Sequence, residues 1–73
     1  MNNETTEKAI VANLGALTEM LRKALADADE AMGFVAEGNR NAAIGTICEL
    51  DRLLADATAL HGAALALHRR TPV

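Results

Sequence analysis

Apolar residues in the first half of the chain recur with the spacing of an α-helix. They follow one another at alternating intervals of four and three residues, the pattern of a helix that packs along one seam. The seam consists of Ile10, Leu14, Leu17, Leu21, Ala24, Ala28, Ala31 and Val35, and it is widened by Val11, Leu25 and Met32. Charged residues occupy the far side. The pattern predicts an amphipathic helix over residues 5–37, about 50 Å long at 1.5 Å per residue.

This first helix has one candidate interruption. Asp27, followed three residues later by Glu30, resembles a capping box, the pair of side chains that often starts a helix. The helix could therefore break near Ala26 and restart as a short second helix. No proline interrupts the stretch, and we prefer the continuous helix.

Residues 38–41 read as a turn between two helices. Gly38 suits the left-handed conformation that ends a helix, and Asn39 or Asn41 can cap the next one. A last helix is predicted over residues 42–69, and Pro72 prevents its continuation. The whole chain, residues 1–73, is thus predicted to be one helical domain.

The last helix is apolar on more of its circumference than one neighbour can cover. One row follows the four-three spacing, and a second row lies beside it at intervals of seven. The first row is Ala43, Ile47, Leu50, Leu54, Ala57, His61, Ala64 and His68, and the second is Leu53, Leu60 and Leu67. Two adjacent apolar rows indicate two packing partners.

These rows predict an all-α protein that assembles with itself. The first helix covers one row by folding back as an antiparallel hairpin, and a second copy is the simplest cover for the other. The leading architecture is a dimeric four-helix bundle, although a larger ring or stack also satisfies the pattern. The expected oligomer interface is Ile47, Leu50, Leu53, Leu54, Ala57, Leu60, His61, Ala64 and Leu67.

Composition supports this fold class. Hydrophobic residues make up 51% of the 73 residues, but 16 are alanine and Phe34 is the sole aromatic residue, which favours helix and a small core. The longest uncharged run, residues 57–68, is shorter than the roughly 20 residues of a membrane span. Without a basic leader before an apolar stretch, a cytoplasmic protein is expected. The single cysteine, Cys48, is expected to pack as a small hydrophobic side chain.

No combination of residues predicts catalysis, a metal site or a cofactor. His61 and His68 are seven residues apart, whereas two histidines that share one metal ion on a helix are four apart. We interpret them as packing or interface residues, with a ligand or pH-sensitive contact as the alternative. Cys48 has no histidine near it in the sequence to activate its thiol. The protein is therefore expected not to be an enzyme.

Charge divides unevenly along the chain and indicates the kind of partner. Residues 1–37 carry seven acids and three bases, whereas residues 38–73 carry three acids and four arginines. An acidic helical oligomer is suited to a basic protein surface. The expected function is a non-catalytic oligomer that blocks, sequesters or recruits another protein, an inhibitor or adaptor of the kind that phages and plasmids often encode.

Two alternatives remain open. Asn39, Arg40 and Asn41 could hold a small anionic ligand, such as a nucleotide, beside a helix N-terminus. The second alternative is an RNA-binding hairpin dimer. It is less favoured because Lys8, Arg22 and Lys23 form no basic stripe with Arg52.

Overall fold

The computed structural model describes residues 3–70, which form three helices and no strand. Helix α1 spans Asn3–Ala36, α2 spans Arg40–Ile47 and α3 spans Leu50–Arg70. We call α2 and α3 together the arm. Both helices of the arm pack on α1, and the resulting hairpin measures 55 × 14 × 13 Å. The predicted all-α hairpin is confirmed.

Helix α1 continues through Ala26 without a break. Asp27, the candidate cap of a second helix, instead pairs with Lys23 one turn earlier, with 3.3 Å between Nζ and Oδ1. Glu4 and Lys8 form a second pair at the same spacing, 3.4 Å apart. Such pairs support a helix by a few tenths of a kcal/mol each. The run of good helix formers therefore prevails over the capping-box pattern.

The turn reverses the chain with the residues that the sequence indicates. Gly38 adopts a left-handed φ of 78°, a conformation that costs a residue with a Cβ roughly 1 kcal/mol or more. The N–H of Asn39 donates to the carbonyl of Phe34 at 2.8 Å, which closes the end of α1. The Asn39 side-chain oxygen then accepts from the N–H of Ala42 at 3.1 Å and caps α2.

Replacing Asn39 by alanine should destabilise the hairpin because the Ala42 N–H loses its acceptor. We expect the free energy of unfolding to fall by about 1 kcal/mol, measured by urea denaturation at one protein concentration. Asn41→Ala is the matched control, since Asn41 is exposed and lies in the same turn of helix. Equal urea midpoints for the two variants would contradict the capping role.

The single helix predicted over residues 42–69 is divided in two. Helix α2 ends at Ile47, and Cys48 donates its N–H to the Ile44 carbonyl at 3.0 Å. Gly45 and two β-branched residues, Thr46 and Ile47, precede the interruption and weaken the helix. The Thr46 hydroxyl also donates to the Ala42 carbonyl at 2.8 Å, a bond that often bends helices. Cys48 keeps helical angles, so the spacing of inward residues continues into α3.

The core between α1 and the arm is built mainly from alanine. The buried residues are Thr6, Asp27, Ala31, Ala43, Ala57 and Ala64. Among residues 3–70, no large side chain is fully buried. Alanine lets two helices approach closely but contributes little apolar area. The hairpin therefore leaves most of the large hydrophobic side chains outside its own core.

The side of helix α1 that faces the arm differs in part from the predicted seam. Half of that seam, Ile10, Leu17, Ala24 and Ala31, is buried or half-buried as expected. Of the other half, Leu14, Leu21 and Val35 are exposed, and Ala28 is half-buried. Their places are taken by Thr6, Asn13, Met20, Asp27 and Phe34. Of these five residues, Thr6 and Asp27 are buried, and Asn13, Met20 and Phe34 are half-buried.

Candidate interaction surface

The large hydrophobic residues that α1 leaves outside the hairpin lie along one side. They keep the three-four spacing of a helix face, and three of them, Val11, Leu25 and Met32, are 63–70% exposed. The complete set on α1 is Val11, Leu14, Leu21, Leu25, Met32 and Val35. Such a row on a soluble helix is typical of a surface that packs against something else.

The arm extends this surface on the same side of the hairpin. An apolar groove of about 570 Å³ lies at the turn end, bordered by Met32 and Val35 of α1 and by Ile44 and Ile47 of α2. The exposed apolar residues of the arm are Ile44, Ile47, Leu54 and Leu65. We call these four residues and the α1 row together the apolar face.

The opposite side of the hairpin is charged. One groove of about 420 Å³ is bordered by Asp27, Glu30 and Glu49, and a second, of about 390 Å³, by Lys23, Glu49 and Arg52. We call these five residues the charged face. Asp27 accepts from Lys23 through Oδ1, whereas its buried Oδ2 has no hydrogen-bond partner among the described residues. Buried acceptors without a partner are uncommon in folded proteins.

The structure divides the interface that the sequence predicted. Ile47, Leu54 and His61 are exposed. The remaining six pack against α1 within the hairpin: Ala57 and Ala64 are buried, and Leu50, Leu53, Leu60 and Leu67 are half-buried. The exposed α1 row is not among the interface residues predicted from the sequence. Its signal was present, because Asn13, Met20 and Phe34 follow the same spacing as the predicted seam and compete with it for the arm.

The three turn residues considered for an anionic ligand are all exposed. Asn39 uses its side-chain oxygen to cap α2, and Arg40 is the first residue of that helix. These contacts account for Asn39 as a helix-capping residue. Ligand binding at Asn39, Arg40 and Asn41 stays a prediction.

Other candidate chemistry lies on exposed positions. His61 and His68 are both exposed on the side of α3 that continues from Ile47 and Leu54. Cys48 is exposed, so the prediction that it packs as a small hydrophobic residue is wrong; it lies between the inward positions Thr46 and Leu50 and off their row. Within residues 3–70, no group of metal-ligating side chains could hold an ion. None of the described helices has the length and apolar character of a membrane span.

No protein-family model, curated protein or solved structure matches the chain.

Proposed function

We propose that this chain is a non-catalytic helical binding protein that works as a homo-oligomer, most simply a dimeric four-helix bundle. The apolar face carries the proposal. The large hydrophobic residues of this hairpin lie outside its core, so burying them against another surface is favourable. A second copy of the chain presents an identical apolar face.

The exposed area supports a dimer quantitatively. The chain exposes 5490 Å², whereas a compact monomer of 7.7 kDa exposes about 4300 Å². The difference is on the order of 1000 Å² per chain, and a standard protein interface buries about 800 Å² on each partner. One two-fold interface across the apolar face is thus large enough to cover the excess.

The charged side would remain outward in this dimer and is available for another protein. Lys8 and Lys23 pair with acids of their own helix, while Glu19, Asp29 and Glu30 of α1 are exposed. An acidic outer surface attracts a basic partner and raises the rate of encounter. We infer that the dimer blocks, sequesters or recruits such a protein in the cytoplasm, as an inhibitor or adaptor does.

Sedimentation equilibrium tests the self-association. We expect the mass at micromolar concentration to be twice 7.7 kDa or a higher multiple, and a mass of one chain would contradict the proposal.

The binding role is tested by capturing a protein from the native source at low salt and rebinding it in purified form. The purified complex should dissociate as salt is raised, because screening weakens charge pairing. A captured protein that is released equally well at every salt concentration would argue against a basic partner.

The anionic-ligand and RNA-binding alternatives have less support. Asn39 is used as a cap, and two of the three bases of α1 are paired within the helix. Neither alternative explains the apolar face.

A further inference from the structure

We infer that the two copies meet along α1, with each α1 running antiparallel to the other across a two-fold axis that crosses the apolar face at the height of residue 23. This inference rests on the self-association proposed above and adds the arrangement of the chains. It follows from three properties of the α1 row, extended by Thr18 and Ala28, which fill the gaps in its spacing: the residue types, the spacing and the state of the Thr18 hydroxyl.

The residue types favour α1 over the arm. No charge interrupts the row from Val11 to Val35, which consists of Val11, Leu14, Thr18, Leu21, Leu25, the half-buried Ala28, Met32 and Val35. On the arm, the row that contains Ile44, Ile47, Leu54 and Leu65 is interrupted by Asp51, Thr58 and His61. A row without charge is best covered by another such row, because an ionised group buried against leucine loses its hydration.

The spacing of the α1 row is the same in both directions. When the two-fold axis crosses the row at the height of residue 23, the row of an antiparallel copy therefore meets this row position by position. Val11 lies opposite Val35 of the second copy, and Leu14 lies opposite Met32. Thr18 lies opposite Ala28, and Leu21 lies opposite Leu25. Residues of similar size thus meet at each level, which suits packing at one constant distance between the helices.

Other alignments fit less well. Moving the copies by seven residues in one direction sets Glu4 and Glu7 opposite Val35 and Met32, while the opposite move sets Leu25 against Ala28 and leaves Val11 and Leu14 without partners. Laying α1 on the arm of the second copy would set Leu25 against Asp51 and Leu14 against His61. The first of these shifts and the α1–arm alignment each bury a charged or polar group, which costs free energy.

Thr18 is the one polar side chain in the row, and it is prepared for burial. Its hydroxyl donates to the Leu14 carbonyl of the same helix at 2.8 Å. The hydroxyl proton of Thr18 therefore has an acceptor within the helix and needs no water molecule. The methyl group of Thr18 adds to the apolar surface. A buried polar group that keeps its hydrogen bond adds little cost.

Distance measurement between spin labels distinguishes the arrangements. The label is placed on Glu37→Cys in a Cys48→Ser background, because Glu37 is exposed at the turn and closes the end of α1 only through its backbone N–H, which the substitution keeps. The proposed axis lies 14 residues away, so the two labels of a dimer should be about 40 Å apart at 1.5 Å per residue on each side. Turns that meet at the same end of the bundle would place the labels within about 25 Å, since packed helices lie 8–10 Å apart.

The three outcomes separate the two levels of the proposal. A distance near 40 Å supports the α1 pairing. A short distance overturns the pairing but keeps the dimer, and the absence of any coupling between chains overturns the dimer as well. Disulfide formation gives an independent readout in the same background. A mixture of Val11→Cys and Val35→Cys chains should form cross-linked pairs, whereas a mixture of Val11→Cys and Leu65→Cys chains should not; the reverse result would reject the α1 pairing.

Discussion

Leu25→Glu should convert the assembly into single chains. Leu25 is 63% exposed in the hairpin, so the new carboxylate has little effect within one chain. In the proposed dimer it would be buried against Leu21 of the second copy. A buried unpaired carboxylate costs several kcal/mol, and the two-fold axis introduces it twice. At about 3 kcal/mol for each site, the dissociation constant should rise by roughly 10⁴-fold.

Sedimentation equilibrium over a range of concentrations measures this effect, with circular dichroism to follow helix content. Ala26→Glu is the matched control, because it adds the same charge one position along α1, where the side chain is exposed and lies off the apolar face. We expect the control to keep the mass of the unmodified protein. If both variants have that mass, Leu25 is not part of the interface.

Ala57→Leu should destabilise the hairpin itself. Ala57 is 6% exposed and lies where α3 approaches α1 closely. Three additional carbon atoms cannot be placed there without moving the helices apart or forcing unfavourable rotamers. Overpacking of this kind costs about 1–3 kcal/mol, a large part of the stability of a small domain.

Urea denaturation at one protein concentration tests Ala57→Leu against Ala59→Leu. Ala59 is exposed two residues further along α3, and the same enlargement there should change the free energy of unfolding by less than about 0.5 kcal/mol. A loss of stability in Ala59→Leu as large as that in Ala57→Leu would show that the alanine line does not set the distance between the helices.

The hairpin was predictable from the sequence because local signals agree with one another. Alanine and leucine dominate the helical stretches, Gly38 supplies the left-handed residue and Asn39 supplies the cap. Each of these acts within a few residues, so the sequence alone identifies it. The interruption at Cys48 was missed because Gly45, Thr46 and Ile47 weaken a helix only slightly one by one, and their effect depends on their being adjacent.

The side of α1 that meets the arm was not predictable in the same way. The apolar sector of α1 is wider than the strip that the arm covers, and periodicity alone does not select an edge. By hydrophobicity alone, Leu14 and Leu21 are better core residues than Asn13 and Asp27. The structure nevertheless turns Asn13 and Asp27 toward the arm, together with Met20 and Phe34, and leaves Leu14 and Leu21 exposed. The sequence therefore indicated that apolar surface is left over and assigned it to the last helix, whereas the exposed large side chains lie on α1 as well as on the arm.

The interruption in the arm also orders the events of folding. Helix α2 has eight residues, fewer than an isolated helix needs to persist in water. It packs mainly on α1, so it gains its structure when the chain closes on itself. Ile44 and Ile47 lie on this segment and border the apolar groove. In the proposed dimer, the part of the apolar face that α2 supplies is therefore complete only once the hairpin has closed.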